Sequence, residues 1–536
     1  MSIILFLMAL SLLPAKDAEL IGYDWSGHFG YVNCQGSLMW NRDWHSGPYF
    51  FDGTWANNPG LLGSEIKDGF LHGHEDTVHY DSSVVASYFD YVQGDYLQDE
   101  FSTAVDYSGN GRHIRLHGFK RSFAGKYNQY TPPNTLPQPI HQTYTIQYQS
   151  KKELEKIDAA VGHFNTYSGL PDTVDKALYN SRITSSNVSW EKQKGALSAR
   201  IDANHFLQRL ISDYSYTDSL DGFEESFKKV RYLTRSKYSG ELQWQKRERL
   251  NLFSRMELHS RSVRLDTMRN ERWQQWLLGA EYGNFHASGG LVFAEEENRL
   301  LWDFSFHLEK NNYTIRLFYE QIPAPAHPFF KNPGILTSTS LASAFGKIKT
   351  GRWDISVWAN RTGYVSNHGA GAMGVAYPEN ETNLSLGTEL DIRLVRSIGL
   401  ILGYVHQDGK SLISDGVKQR LKITGKGSFR LFEGVMNLKT NVEVHGWLNR
   451  QPAGFLLPVE AVPVSFEYNS LKDLWFVKAT VTAVVSSFTL SYTWHNLSEV
   501  ILNASGSDRG NTLDMHPLMP EMGRQASMTI SWHFLD

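Results

Sequence analysis

Two stretches near the C-terminus show the pattern from which the architecture can be inferred: SFTLSYTWH at 487–495 and SMTISWHF at 527–534. In the first, Phe, Leu, Tyr and Trp alternate with Ser, Thr and His, and the second repeats the alternation. A strict period of two gives each strand one apolar face and one polar face. Because the pattern recurs along most of the chain, it predicts a closed barrel in a membrane rather than one sheet of a soluble sandwich.

The composition agrees with this interpretation. The chain has 536 residues, with 26 Tyr, 29 Phe and 15 Trp, and no linker-like or highly charged segment divides it. Abundant Tyr and Trp suit the two interfacial girdles of a membrane barrel. The net charge of −4 gives no indication of a nucleic-acid partner. Cys34 is the only cysteine, so we expect no disulfide within the chain, and we predict no cofactor.

The N-terminus carries a targeting signal. An apolar core at 3–13, followed by Pro14-Ala15-Lys16, indicates a secretory signal peptide over residues 1–18. Its first residues lack Lys and Arg, and the alternative is an ordinary buried N-terminal segment. No later run of 18 apolar residues predicts a membrane-spanning helix. An exported chain with many amphipathic strands is expected in the outer membrane of a Gram-negative-type cell.

Turn signals and alternation together predict the strand count. Ten tight connections stand out, and longer polar connections, such as the one predicted at 207–229, alternate with them. The tight connections fall near 108–112, 150–155, 191–195, 246–249, 282–285, 310–312, 349–352, 395–397, 432–435 and 485–487. One strand precedes these hairpins and one follows them, which predicts an all-β, antiparallel transmembrane barrel of about 22 strands over residues 81–536. Short turns would face the periplasm and long loops the outside. Residues 19–80 would fill part of the lumen or represent the remnant of a plug.

The clearest strands also predict which face is wet. In 301–309, Trp302, Phe304 and Phe306 share one face, while Asp303 and His307 share the other. Placing Lys or Arg on the lipid side would cost about 2–4 kcal/mol near the midplane, so the polar rows should face the lumen. The charged residues predicted to line the lumen are Arg235, Lys237, Glu241, Asp303, Glu309, Arg316, Glu389, Asp391, Arg393, Lys422, Lys426, Arg430, Lys439 and Glu443. They could act as a selectivity lining, or form a solvated wall whose charges pair across neighbouring strands.

A short polar segment holds the only candidate metal ligands. His72, His74 and His79, together with Glu75 and Asp76, are donors that Zn²⁺ accepts. No zinc-site spacing is matched, however, and an ordinary polar segment with several His residues explains the run equally well. We therefore predict no metal site here.

The closing segment resembles a known family. Met519-Pro520-Glu521-Met522-Gly523-Arg524, followed by SWHFLD at 531–536, is similar to the end of the barrel in TonB-dependent outer-membrane receptors. The resemblance implies a 22-strand barrel. It also implies a large N-terminal plug and an energy-coupling box, but only residues 19–80 precede the first strand of the barrel. The chain therefore looks like a plug-less, TonB-receptor-like barrel of the porin type.

These observations favour passage of small polar solutes through a partly occluded lumen. One alternative is a non-transport scaffold or a surface-export component, and another is an energised TonB-type receptor. No Gly-x-Ser-x-Gly nucleophile motif is present, so we predict no enzymatic activity. The expected partners are outer-membrane lipid, a small polar solute, and a periplasmic or surface lipoprotein.

Overall fold

The described part of the chain forms one closed barrel. A computed structural model describes residues 18–27, 29–34, 37–39, 50–51, 66–67, 70–73, 83–132, 139–170, 177–218, 223–246, 250–264, 268–325, 336–365, 380–409, 414–451, 455–456, 463–464, 471–505, 513, 515 and 520–535. Within these residues, 22 antiparallel strands pair in chain order, and the last strand pairs with the first. The predicted fold and the predicted strand count are confirmed.

Six short strands precede the barrel, and two more lie in one of its long connections. The short strands before the barrel are β1 Ala18–Gly22, β2 Gly30–Cys34, β3 Ser37–Leu38, β4 Phe50–Phe51, β5 Ile66–Lys67 and β6 Phe70–Leu71. The barrel strands are β7 Val84–Gly94, β8 Gln98–Gly109, β9 Arg112–Ser122, β10 Ile140–Lys151, β11 Glu155–Leu170, β12 Ala177–Lys194, β13 Leu197–Asp218, β14 Phe223–Lys246, β15 Leu250–Arg264, β16 Met268–Tyr282, β17 Phe285–Phe293, β18 Asn298–Lys310, β19 Tyr313–Pro325, β20 Leu336–Lys349, β21 Trp353–Val365, β22 Asn380–Val395, β23 Ile398–Gly409, β24 Val417–Leu431, β25 Met436–Arg450, β28 Leu474–Val485, β29 Phe488–His495 and β30 Gln525–Leu535. The remaining pair is β26 Phe455–Leu456 and β27 Pro463–Val464, and the one α-helix named in these residues is α1, Leu497–Ala504.

The closing hairpin shows how alternation becomes structure. In β29 and β30, Phe488 lies directly opposite Trp532, and their rings meet edge to face with centroids 6.1 Å apart. Strand β30 then pairs with β7, where Ile530 lies opposite Tyr91. Cross-strand aromatic and aliphatic pairs of this kind stabilise a sheet. Closure leaves the barrel wall no free strand edge.

The ten predicted tight turns all lie at one end of the barrel. Each of the ten predicted tight connections joins two consecutive paired strands. In the first, Asn110 and Gly111 both have positive φ, 51° and 70°, as a two-residue type I′ turn requires. The barrel begins at Val84 and finishes at Leu535, also at this end, as an even number of antiparallel strands demands. We call this end the short-turn end and the other the long-loop end.

Some predicted connections are shorter than the sequence indicates. The connection expected at 207–229 is mostly strand, because β13 continues to Asp218 and pairs there with Phe223 of β14. Backbone pairing continues beyond the apolar alternation, since each peptide group needs a hydrogen-bond partner even where the side chains are polar. Alternation therefore marks the membrane-crossing part of a strand better than its ends.

The residues before the barrel form two small sheets. Strands β1, β2 and β3 pair in sequence, β4 also pairs with β2, and β5 pairs with β6. We call residues 19–80 the N-terminal segment. Over the described residues, no helix has both the length and the apolar character needed to cross a membrane.

Candidate functional site in the barrel interior

Solvent exposure separates the two faces of the barrel wall. In β18, Leu300 is 69% exposed and Trp302 45%, whereas Leu301 between them is only 5% exposed. The exposed row is apolar, as a lipid-facing surface must be. The buried row of the same strand continues through Asp303, so the polar side chains face the interior.

The fourteen predicted wall residues all lie on the interior face. Each sits on the side of its strand opposite the exposed apolar row. In β14, for example, Arg235 is buried and Tyr238 on the other face is exposed. In β24, Thr424 is buried and the adjacent Ile423, on the other face, is exposed. The alternation therefore placed them on one common surface. Their role as a selectivity lining remains a prediction.

On one side of the barrel, these charges are paired. Lys237 Nζ lies 3.2 Å from a Glu257 carboxylate oxygen, and Arg255 pairs with Glu241. A third pair, Arg261 with Glu271, is buried. The sector from β14 to β16 thus contains three cation–carboxylate pairs, as expected if the charges of the wall pair across neighbouring strands.

Other predicted residues have mixed surroundings. Asp303 Oδ1 lies 2.7 Å from His286 Nε2, and Glu443 Oε2 lies 3.0 Å from His445 Nε2. The guanidinium of Arg316 lies over the ring of Phe345, 5.5 Å from its centroid. In the strand register, Glu389 lies opposite Ser356 and Asp391 lies opposite Asp354. A carboxylate oxygen of Glu309 lies 3.6 Å from His307 Nε2. Arg393, Lys422, Lys426, Arg430 and Lys439 form no ion pair within 4.0 Å with a described carboxylate.

Of the candidate metal ligands, only His72 lies among the described residues. His72 is half-buried, while His74 and His79 lie outside the described residues. Within the described residues, no group of three His, Cys, Asp or Glu side chains is arranged to hold a metal ion.

Sequence reasoning missed how the N-terminal segment meets the wall. Near the long-loop end, Trp25 Nε1 donates a 2.8 Å hydrogen bond to the Gly523 carbonyl. Arg121 of β9 donates to the Ser26 carbonyl at 2.6 Å, and the Tyr130 hydroxyl donates to Asp24. Burial and the nearby Asp24 carboxylate hold the pKa of Tyr130 well above its ordinary value, so this hydroxyl keeps its proton and remains a donor.

A second contact lies at the connection between β23 and β24. Asn33 Nδ2 donates to Asp415 Oδ2 at 2.8 Å, and Arg420 also pairs with Asp415. Burial, followed by the charge of Asp415, raises the pKa of Tyr31 well above its ordinary value. Asp415 therefore joins the segment to the wall through one buried carboxylate, which accepts hydrogen bonds from both sides.

The third contact lies deeper in the barrel. Phe70 is 1% exposed and Leu71 is fully buried. The Phe70 ring lies 5.1 Å from the Arg235 guanidinium, and the Leu71 amide donates to Ser185 Oγ at 3.0 Å. On the far side of the barrel, Ser37 Oγ lies 3.2 Å from Ser385 Oγ of β22.

No signal in the sequence identifies these contacts in advance. The partners Asn33 and Asp415 are separated by 382 positions, and Trp25 and Gly523 by 498. Spacing and periodicity carry information only over a few residues, so contacts at this range appear only in the folded chain.

Similarity to known proteins is confined to structure. No family model matches the sequence, and no curated protein matches it. The iron transporter FrpB from Neisseria meningitidis aligns over 97% of this chain and 95% of its own, with a TM-score of 0.66 and 9% identity. The siderophore receptor PirA from Acinetobacter baumannii aligns over 97% and 94%, with a TM-score of 0.64 and 10% identity.

A third solved structure extends the same pattern. The copper transporter OprC aligns over 97% of this chain and 94% of its own, with a TM-score of 0.66 and 10% identity. At this level of identity the similarity defines the fold. The chain, a closed 22-strand barrel, therefore shares its fold with these solved transporters and this receptor.

Proposed function

We propose that this chain is an outer-membrane barrel that passes small polar solutes through a lumen partly occluded by the N-terminal segment. In this proposal, residues 1–18 direct export, and the segment stands where the larger plug of TonB-dependent receptors would be. The polar interior face supports passage of polar solutes, as do solved structures with the same fold that are described as iron and copper transporters.

One observation carries the proposal. The N-terminal segment contacts the interior face at positions distributed around the whole barrel: Arg121 of β9, Ser185 of β12, Arg235 of β14, Ser385 of β22 and Asp415 before β24. Contacts on different sides of the interior face support a segment that crosses the lumen. A barrel of more than 18 strands is wide enough to leave an aqueous channel unless something restricts it.

A reversible tether tests whether the segment controls passage. Ser37→Cys with Ser385→Cys, in a Cys34→Ser background, replaces two hydroxyls that lie 3.2 Å apart. We expect oxidation to fix the segment and lower conductance in planar bilayers, and dithiothreitol to restore it. The matched control is Thr480→Cys with Thr493→Cys, whose hydroxyls are also 3.2 Å apart but join two wall strands. Oxidation of the control should leave conductance unchanged.

The result against the proposal is equally concrete. If the full chain and a variant lacking residues 19–80 both fail to conduct, the lumen does not pass solutes. That result would favour the non-transport scaffold instead.

A further inference from the structure

One sector of the interior wall carries more cations than carboxylates among the described residues, with Glu443 opposite Lys478. Strands β24, β25 and β28 contain a single acidic residue, Glu443. Their interior faces carry five cations that form no ion pair within 4.0 Å with a described carboxylate. These are Lys422, Lys426, Arg430, Lys439 and Lys478, which we call the basic sector.

The strand register places these cations close together. Lys439 of β25 lies opposite Ser428, and is therefore the diagonal neighbour of both Lys426 and Arg430 on β24. Diagonal neighbours in an antiparallel pair are about 7–8 Å apart, and like charges at such positions repel. Three cations thus share a small area of the wall, and none of them pairs with a carboxylate among the residues that the structure describes.

The opposite wall shows that this is not a general property of the barrel. In β14 to β16, Lys237, Arg255 and Arg261 each pair with a carboxylate, Glu257, Glu241 and Glu271 respectively. The two sectors therefore differ in the ratio of acid to base and not simply in the number of charges. The lumen has one compensated side and one positive side.

The basic sector is also open to a solute. In β23, Gly399 lies opposite Lys426 of β24, and Gly403 lies opposite Lys422. No side chain at these two β23 positions therefore covers the ammonium groups. Lys426 and Lys439 are exposed. On the other flank, Thr and Ser side chains of β28 and β29 line the wall next to Lys478, such as Thr482 opposite Ser491 at 2.9 Å.

We propose that the basic sector binds small oxyanions, carboxylates or phosphate, and makes passage through the barrel selective for anions. This proposal rests on the proposed function for its transport part, but its binding part can be tested separately. Ammonium and guanidinium groups form strong charge-assisted hydrogen bonds with oxyanions. A bound oxyanion would also offset the repulsion among the clustered cations.

Ion selectivity is the first test. In a KCl gradient across a planar bilayer, the full chain should prefer chloride to potassium, and the variant Lys426→Gln/Arg430→Gln/Lys439→Gln should lose that preference. The preference should also weaken in concentrated salt, because the Debye length falls from about 10 Å at 0.1 M to about 3 Å at 1 M. The control Lys152→Gln/Lys194→Gln/Lys310→Gln removes the same charge from exposed turn positions and should retain the preference.

Binding in detergent is the second test and needs no open channel. Calorimetric titration of the full chain with citrate and, separately, with inorganic phosphate should show binding that the triple variant loses and the control retains. The two titrations distinguish a carboxylate from a phosphate site. If the barrel does not conduct but this binding persists, the proposed function fails and the anion site stands. A preference for potassium, or equal citrate and phosphate binding by the triple variant and the full chain, would overturn the inference.

Discussion

Replacing Phe70 should release the N-terminal segment from the wall. The Phe70 side chain is 1% exposed, packs with Ala160, Phe164 and Ile183, and faces the Arg235 guanidinium. Truncating a buried Phe to Ala typically costs about 3–5 kcal/mol. Because Phe70 belongs to the segment and its neighbours to the wall, this cost falls on docking rather than on the barrel. At about 3 kcal/mol, the ratio of docked to released segment should fall roughly 100-fold.

Hydrogen exchange measures this release directly. The Leu71 amide donates to Ser185 Oγ, so its exchange reports local opening of the segment. In Phe70→Ala, we expect exchange at Leu71 to accelerate roughly 100-fold, while peptides from β24 and β25 keep their protection. The control is Phe432→Ala, because Phe432 is 73% exposed in a short turn and contributes no burial.

Two outcomes would refute this reasoning. If Leu71 exchange is unchanged in Phe70→Ala, the buried ring does not hold the segment. If the barrel peptides lose protection to the same extent, the segment is part of the barrel's folding unit and cannot be released on its own.

Three further perturbations probe other parts of the molecule. Asp415→Asn removes the ion-pair partner of the buried Arg420 and should destabilise segment docking by about 3–5 kcal/mol. Adding Arg420→Met should recover most of this loss in the same exchange assay. The Tyr130 hydroxyl donates to Asp24 only while protonated, and its raised pKa means that this stabilisation is complete below pH 10 and is lost as the pH rises through the folded-state pKa. Protease release of the segment should therefore increase at alkaline pH, and Tyr130→Phe should weaken that dependence, the rest coming from the raised pKa of Tyr31. Leu386→Arg places a charge on the lipid face and should lower unfolding free energy in vesicles by about 2–4 kcal/mol, a cost that would be missing if Leu386 did not face lipid.

Local pattern predicted most of the barrel. The alternation of Phe488, Leu490 and Tyr492 with hydroxyl residues was sufficient to identify a strand and its apolar face, and the ten turn signals were sufficient to count the strands. Strand ends were less accurate, as the continuation of β13 to Asp218 shows. Beyond the bilayer no apolar contrast remains, while the backbone ladder still continues.

Pairing on the interior face was not predictable to the same degree. The sequence placed Lys237 and Glu241 on the interior row, but nothing in it indicated that their partners are Glu257 and Arg255. Those partnerships depend on the stagger between neighbouring strands. A turn fixes that stagger, and a shift of two residues would keep every side chain on the same face while changing each partner.

Sequence pattern alone was enough to predict a closed membrane barrel, its number of strands and the strand faces that carry the polar side chains. These properties follow from a period-two pattern that each strand carries locally, together with the high cost of charge in lipid. The contacts of Asn33 with Asp415 and of Phe70 with Arg235 are visible only in the folded chain. Residues so far apart in sequence become neighbours only when closure of the barrel creates an interior, and the N-terminal segment then packs against whatever side chains that interior presents.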